Sequence, residues 1–160
     1  MNDFAERPNT IHWPPYLYIV ALSLPWLLQE WLPLPVIEPA GIWDDVMVGV
    51  GLALLATGLT IDFLALRSFS AVGTPFNPTA KAEKLVSFGL YNRTRNPMYL
   101  GGLIGFLGLA LATGNIWRFL VLPPLCVGLH MLAVLREEQH LEARFGQVWR
   151  DYAARVNRWW

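Results

Sequence analysis

The sequence predicts an all-α integral membrane protein with four transmembrane helices and a cytoplasmic C-terminal amphipathic helix. Hydrophobic residues form 54% of the 160-residue chain. The mean hydropathy is +0.36, which is too apolar for an ordinary soluble domain. The length suits a single domain over residues 1–160. The 12 basic residues are balanced by 12 acidic ones, whereas nucleic-acid binding needs a basic excess, so we expect no nucleic-acid partner.

Four apolar stretches approach the roughly 20 apolar residues that are needed to cross a hydrocarbon core. Three prolines, Pro33, Pro35 and Pro39, exclude a helix between the first two stretches and indicate a tight turn. Gly114-Asn115 separates the last two stretches, which predicts an antiparallel hairpin. The predicted spans cover residues 14–31, 45–66, 98–113 and 117–135, with a polar loop over 67–96 and the C-terminal helix over about 136–156.

Small residues at four-residue spacing predict two surfaces for close helix packing. Gly49, Ala53 and Thr57 form such a stripe on the second span. Gly101 and Gly105 form a GxxxG pair on the third span. We interpret both as packing surfaces, because close approach of a neighbouring helix is the ordinary use of this pattern.

Asp62 is an acidic residue inside the second predicted span. It lies about one turn from the predicted end of that span and one turn before Arg67, so an interfacial ion pair or a helix cap is the first interpretation. A functional role is the alternative, because carboxylates at that depth tend to face protein or water.

Lysine and arginine residues are concentrated in the loop over 67–96 and after residue 135. The positive-inside bias makes both regions cytoplasmic, and four spans then put both termini on that side. The N-terminus lacks the basic start of a signal peptide, so the first apolar run is expected to stay in the membrane. One cysteine and no Cys/His cluster with metal-ligand spacing predict no bound metal.

Apolar residues recur at three- and four-residue steps through the predicted C-terminal helix and give it one apolar face. That face can lie on lipid headgroups, or it can cover a site as a lid, and periodicity leaves both alternatives open. The residues of this face are Leu141, Phe145, Val148, Tyr152 and Val156.

The stretch over residues 85–99 is the densest polar and glycine-punctuated run in the chain and is the expected site.

His130 and Glu137 are seven residues apart, so on a continuous helix they point the same way within about 20°. The alternative to a binding role for His130 is a structural histidine that is hydrogen-bonded inside the helix bundle. The alternative for Glu137-Glu138 is a helix end that is exposed to solvent. Carboxylates beside tyrosines suit a zwitterionic or cationic ligand. No G-x-G-x-x-G, P-loop or G-x-S-x-G motif indicates a reaction.

The second half of the chain carries short motifs in this order: Gly73-Thr74-Pro75, Asn77-Pro78, Leu85-Val86, Gly89-Leu90-Tyr91, Arg95-Asn96-Pro97-Met98-Tyr99-Leu100-Gly101, Glu137-Glu138-x-x-Leu141, Phe145-Gly146, Tyr152 and Arg155-Val156-x-Arg158-Trp159. In combination they resemble the isoprenylcysteine carboxyl methyltransferase family, as a prokaryotic member related to phospholipid methyltransferases. The resemblance covers about residues 60 to 160. One motif differs from the family pattern: the family's Arg-His-Pro-x-Tyr is Arg-Asn-Pro-x-Tyr in this sequence. The asparagine can still form hydrogen bonds, but it lacks the titratable ring of histidine.

The resemblance implies a methyltransferase in the cytoplasmic membrane of a prokaryote, with S-adenosyl-L-methionine in a cytosolic pocket. Its acceptor would be a lipophilic or lipidated molecule from the bilayer, such as a prenylcysteine-like carboxylate. The family's cofactor contacts would fall on Lys84, Leu85, Val86, Tyr91, Asn96, Pro97, Met98, Tyr99 and Glu137. The candidate catalytic residues are Glu138, as a base for an amine or thiol acceptor, and Arg158, while Arg136 and His130 are the candidates for substrate binding.

Two other functions remain as alternatives. A membrane reductase of the sterol-reductase type, using NADPH, would share a helical C-terminal core but needs a longer groove with phosphate-binding groups. A non-catalytic membrane scaffold, whose polar loop docks a partner, would tolerate alanine at Asn96, Tyr99 and Glu137. Cofactor binding by the purified protein discriminates among the three.

Overall fold

The computed structural model describes residues 11–73 and 82–160, and the regular elements in these ranges are helices. Residues 1–10 and 74–81 lie outside the described residues, and with them Thr74-Pro75 and Asn77-Pro78 of the motifs. The elements are α1 (Trp13–Trp31), α2 (Ile42–Ala71), a 3-10 turn (Gly89–Asn92), α3 (Pro97–Thr113), α4 (Ile116–Leu129), a π-helical segment (His130–Val134), α5 (Leu135–Phe145) and α6 (Gln147–Arg155).

Hydrogen bonds define the two ends of the helix bundle. At one end, the loop after α1 meets the predicted turn between α3 and α4, where the Ile37 amide donates to the Gly114 carbonyl at 2.8 Å. Gly114 ends α3 with a φ of 58°, a left-handed conformation that favours glycine. At the other end, the Tyr18 hydroxyl of α1 donates to the Tyr99 carbonyl of α3 at 3.3 Å. The polar stretch lies at this second end.

Helices α2 and α3 approach each other through glycines. Gly58 faces the α3 backbone at Gly101 and Gly105, and Gly51 faces it at Gly108. A Cβ added at Gly58 or Gly51 would overlap main-chain atoms of the other helix. The GxxxG pair of α3 is therefore a packing surface, as its spacing predicts.

The stripe predicted on α2 from Gly49, Ala53 and Thr57 is wrong. Ala53 and Thr57 are exposed, and a Cβ at Gly49 would meet no atom within 4 Å. The glycines in contact are Gly51 and Gly58, which are seven residues apart and thus two turns apart on one face. Small-residue spacing therefore identified a packing helix but not the face that packs.

Helix α2 continues to Ala71, five residues past the predicted end of the second span at 66. Asp62 is therefore nine residues, or about 13 Å, from the end of the helix instead of one turn. The expected pair with Arg67 is wrong for the described residues, because the Arg67 guanidinium lies 5.9 Å from the centre of the Phe63 ring and forms no ion pair with Asp62. Asp62 thus lies within α2 instead of near its end, and it is partly buried beside Gly101 in the second turn of α3.

The fourth helical run passes the predicted boundary at residue 135 and extends from Ile116 to Phe145. Gly146, with a φ of 54°, ends the run and α6 follows, so the single helix predicted over about 136–156 is wrong. The π-helical segment also replaces the regular helix that was assumed between His130 and Glu137 for their shared direction.

Two helical runs, Ile42–Ala71 and Ile116–Phe145, are long and apolar enough to cross a membrane. Only 11% and 22% of their apolar windows are buried, whereas the core helix of a soluble protein is mostly buried. Large side chains of α2 such as Leu59 and Phe63 are 61% and 60% exposed, a surface that suits lipid. The chain is a membrane protein, and four spans with cytoplasmic termini remain a prediction.

Candidate functional site

A hydrogen bond between Tyr99 and Glu137 connects the polar stretch, residues 85–99, to the Glu137-Glu138 motif. The Tyr99 hydroxyl donates to Glu137 Oε2 at 3.0 Å. Pro97 occupies the first turn of α3, where a missing N–H costs little, and this places the buried Tyr99 in that turn. Among the described residues, no lysine or arginine forms an ion pair with Glu137. A carboxylate in this position can bind a cationic group of a ligand.

The last residues of the chain run beside the polar stretch. The Arg95 amide donates to the Asn157 carbonyl at 2.9 Å. The Arg158 carbonyl accepts from the buried Thr94 hydroxyl at 3.1 Å and from the Asn96 side-chain amide at 2.9 Å. Asn96, a predicted cofactor contact, therefore also fixes residues 156–160, which we call the C-terminal strap.

Glu138 is held by two arginines. Arg158 donates from Nε to Oε1 at 2.9 Å and from Nη2 to Oε2 at 2.8 Å, a bidentate pair. Arg95 Nη1 lies 3.1 Å from Oε1, and both the Glu138 and Arg95 side chains are 14% exposed. Hydrogen bonds to Glu138 raise the pKa of Arg158. The cluster ties α5 to the polar stretch and to the strap.

The 3-10 turn is fixed by an aromatic contact and by a buried hydrogen bond. The Tyr152 hydroxyl of α6 donates to the Tyr91 carbonyl at 2.7 Å, and the Tyr91 ring packs edge-on against Phe69 at 5.6 Å. Burial raises the pKa of the Tyr91 hydroxyl, and the negative charge of Glu137 adds to the rise. Burial also raises the pKa of Tyr152 to about 12, so both hydroxyls keep their protons at neutral pH.

Replacing Tyr152 with phenylalanine should lower the free energy of unfolding by about 1 to 2 kcal/mol, because the buried Tyr91 carbonyl loses its donor. Thermal unfolding of the detergent-purified protein measures the change. Tyr16→Phe is the matched control, since Tyr16 is 54% exposed and should have no effect. Equal unfolding temperatures for the two variants would contradict the role given to this bond.

The three other predicted contacts before the turn have different surroundings. The exposed Lys84 donates from Nζ to the carbonyl that follows α2 at 2.9 Å. Leu85 packs on the α6 cluster around Trp149, while Val86 is buried against Ala65 of α2. Met98 packs against the same α2 cluster as Val86. The residues predicted to hold the cofactor thus line one end of the bundle, and several of them also support its packing.

His140 and Arg144 are two site-supporting residues that sequence reasoning missed. The Ala82 amide donates to His140 Nε2 at 3.0 Å, and Arg144 Nε donates to the Ala82 carbonyl at 3.3 Å. His140 is only 1% exposed. Their spacing of four residues on α5 puts both on one helix face, which is the signal that could have identified them.

The two predicted substrate-binding residues lie at the start of the π-helical segment and just after its end. His130 begins the segment, and its ring centre is 6.1 Å from that of Trp159 in the strap. His130 Nδ1 is buried and has no hydrogen-bond partner in the described part of the chain. Arg136 is partly buried in the first turn of α5. Within residues 11–73 and 82–160, no group of three or more His, Cys, Asp or Glu could hold a metal ion.

A groove of about 460 Å³ adjoins Tyr99 on the side of α1, α2 and α3. Its walls are mostly apolar, and Tyr18, Asp62 and Tyr99 are polar residues along it. Glu137 does not line the groove. Tyr99 therefore lies between the apolar groove, which it lines, and the Glu137 carboxylate, which it contacts outside the groove.

Comparison with known proteins identifies relatives of the chain. Residues 46–148 match the phospholipid methyltransferase family. A nickel-cobalt-cadmium resistance protein, NccN of Alcaligenes xylosoxydans xylosoxydans, is 31% identical over 118 residues. This match covers 71% of the chain, which spans about half (52%) of the length of that relative. No solved structure matches the chain. Because the family match covers more than half of the sequence, the chain belongs to the phospholipid methyltransferase family.

Proposed function

We propose that the protein is an S-adenosylmethionine-dependent membrane methyltransferase that acts on a lipidic or amphipathic acceptor. Membership of the phospholipid methyltransferase family supports a methyltransferase in a membrane. The observation that carries the proposal further is the 3.0 Å contact of Tyr99 with Glu137, since it brings the Arg-Asn-Pro-x-Tyr motif next to the Glu-Glu motif. The two motifs then form one site at the end of the bundle.

The residues at this site fit the cofactor. When bound, S-adenosylmethionine supplies a methyl group on a cationic sulfonium. Glu137, which has no cationic partner among the described residues, would hold the cofactor's ammonium group, and Tyr99 would orient the carboxylate. Leu85, Val86 and Met98 would cover the less polar parts and exclude water. Methyl transfer depends chiefly on alignment of the acceptor with the methyl group, so a rigid site suffices.

Glu138 and Arg158 have a different role in this proposal from the one expected of them. Both Glu138 oxygens accept hydrogen bonds from guanidinium groups. A carboxylate with both oxygens engaged is better suited to holding the strap than to receiving a proton from the acceptor. We therefore assign Glu138 and Arg158 to positioning the strap beside the cofactor. Arg136 and His130 stay candidates for contact with the acceptor.

Binding of S-adenosylhomocysteine to the detergent-purified protein tests the proposal by calorimetry. Replacing Glu137 with alanine should weaken binding at least about tenfold, because a charge-assisted hydrogen bond is lost. Glu142→Ala on the same helix is the matched control, since Glu142 is exposed and its one ion pair within residues 11–73 and 82–160 is with Arg150 at 3.4 Å. It should bind as wild type does.

NADPH, titrated in parallel, separates the proposal from its alternatives. We expect no binding of NADPH. Binding of NADPH without S-adenosylhomocysteine would contradict the proposal in favour of a reductase, and binding of neither compound would favour the scaffold.

A further inference from the structure

Helix α1 packs against the proposed cofactor site, although it lies outside residues 46–148, which match the family. Tyr18 of α1 packs on a buried cluster that contains Tyr99 of α3 and Val134 of the π-helical segment. Trp159 of the strap packs on the same cluster. Helix α1 therefore supports the elements that form the site as well as the strap.

Two consecutive glycines in the second turn of α3 make room for the two neighbouring helices. A Cβ added at Gly101 would overlap α2 at Gly58. A Cβ added at Gly102 would overlap the hydroxyl and the ring of Tyr18. Glycine weakens a helix interior relative to alanine, so the missing side chain at Gly102 has a structural use, which is the close approach of Tyr18 to the start of α3.

Tyr99 is held through its backbone by α1 and through its side chain by α5. The Tyr18 hydroxyl donates to the Tyr99 carbonyl at 3.3 Å. The Tyr99 hydroxyl donates to Glu137 Oε2 at 3.0 Å. Because Tyr99 is only 6% exposed and closely packed, a shift of its backbone also moves the hydroxyl that contacts Glu137. The Tyr18 hydroxyl is thus connected to the Glu137 carboxylate through a single residue.

We propose that Tyr18 is a positioning residue of the cofactor site, whose hydroxyl fixes the first turn of α3 and thereby holds the Tyr99 hydroxyl against Glu137. This inference rests on the proposed function. Tyr18 acts through Tyr99 and does not itself contact the cofactor. A binding group that is held in place before the ligand arrives loses less conformational freedom on binding, so loss of this support weakens affinity.

Tyr18→Phe tests the proposal, because it removes the hydroxyl and keeps the ring. We expect S-adenosylhomocysteine to bind the detergent-purified variant about fivefold more weakly than wild type, since one neutral hydrogen bond is lost. Calorimetry is done well below the unfolding temperature, where a small loss of global stability leaves the affinity unchanged. Tyr16→Phe makes the same change on the same helix at a 54% exposed residue and should bind as wild type does.

A double-mutant cycle with Tyr99→Phe separates a positioning role from a purely structural one. Because Tyr18 acts through Tyr99, Tyr18→Phe should weaken binding by less than about twofold in a protein that already lacks the Tyr99 hydroxyl. A purely structural Tyr18 would change the unfolding temperature and leave the affinity unchanged in both backgrounds. A full fivefold loss in the Tyr99→Phe background would show that Tyr18 acts by another route, and would overturn the proposal.

The wild-type titration distinguishes failure of this inference from failure of the proposed function. If folded wild-type protein binds no S-adenosylhomocysteine, the methyltransferase assignment fails, and the positioning role fails with it. If wild type binds and Tyr18→Phe binds equally well, the positioning role alone fails.

Discussion

Replacing Gly58 with alanine is expected to lower the free energy of unfolding by about 3 kcal/mol, because the new methyl group overlaps the backbone of α3. The atoms it would meet belong to the main chain at Gly101 and Gly105 and cannot move aside as a flexible side chain does. Helices α2 and α3 must therefore separate, which also opens the groove. Unfolding in denaturing detergent, followed by tryptophan fluorescence, measures the loss.

Gly49→Ala is the matched control for this prediction. It makes the same chemical change on the same helix, where a Cβ would meet no atom within 4 Å. Both variants gain the same helix propensity, about 1 kcal/mol, so the difference between them reports the helix contact alone. Equal stability of the two variants would contradict the close packing of α2 on α3.

Replacing Glu138 with alanine should lower the free energy of unfolding by about 2 to 3 kcal/mol. The change leaves two guanidinium groups, those of Arg95 and Arg158, beside each other without their shared carboxylate. The value lies below that of a fully buried pair because the Arg158 side chain is 37% exposed. The strap should detach first, and hydrogen exchange at the Arg95 amide, which donates to Asn157, should accelerate.

The pair of Glu142 with Arg150 gives the control for the Glu138 prediction. Its side chains are 52% and 53% exposed, so Glu142→Ala should change stability by less than about 0.5 kcal/mol. Salt should weaken this exposed pair and affect the Glu138 cluster much less. Slow exchange at the Arg95 amide in Glu138→Ala would show that the strap is held without the carboxylate.

Local patterns predicted the helices better than they predicted how the helices meet. Hydropathy and proline positions located the apolar helices, and Gly114 located the turn, since these signals act within a few residues. The prediction of the packing face of α2 was wrong, because four-residue spacing favours the Gly49 stripe, whereas the glycines in contact, Gly51 and Gly58, are seven residues apart with leucines between them. The break at Gly146 was missed because the apolar period continues across it.

The polar and glycine content of residues 85–99 located one half of the candidate site, and the resemblance supplied its cofactor contacts, including Glu137. The Tyr99 to Glu137 contact joins residues 38 positions apart, and no local rule relates them. The predicted alignment of His130 with Glu137 assumed a regular helix where the chain has a π-helical segment. Asp62 was assigned to a helix end because α2 was predicted to end at residue 66, whereas the helix continues to Ala71.

The central claim is that the polar stretch and the start of α5 together bind the cofactor. Ultraviolet cross-linking of radiolabelled S-adenosylmethionine to the full chain, followed by peptide mapping, tests this claim most directly. The account predicts label within residues 85–99 and 130–139, abolished by excess S-adenosylhomocysteine and unaffected by NADPH. Label confined to residues 32–41, at the opposite end of the bundle, or label that S-adenosylhomocysteine does not displace, would contradict it.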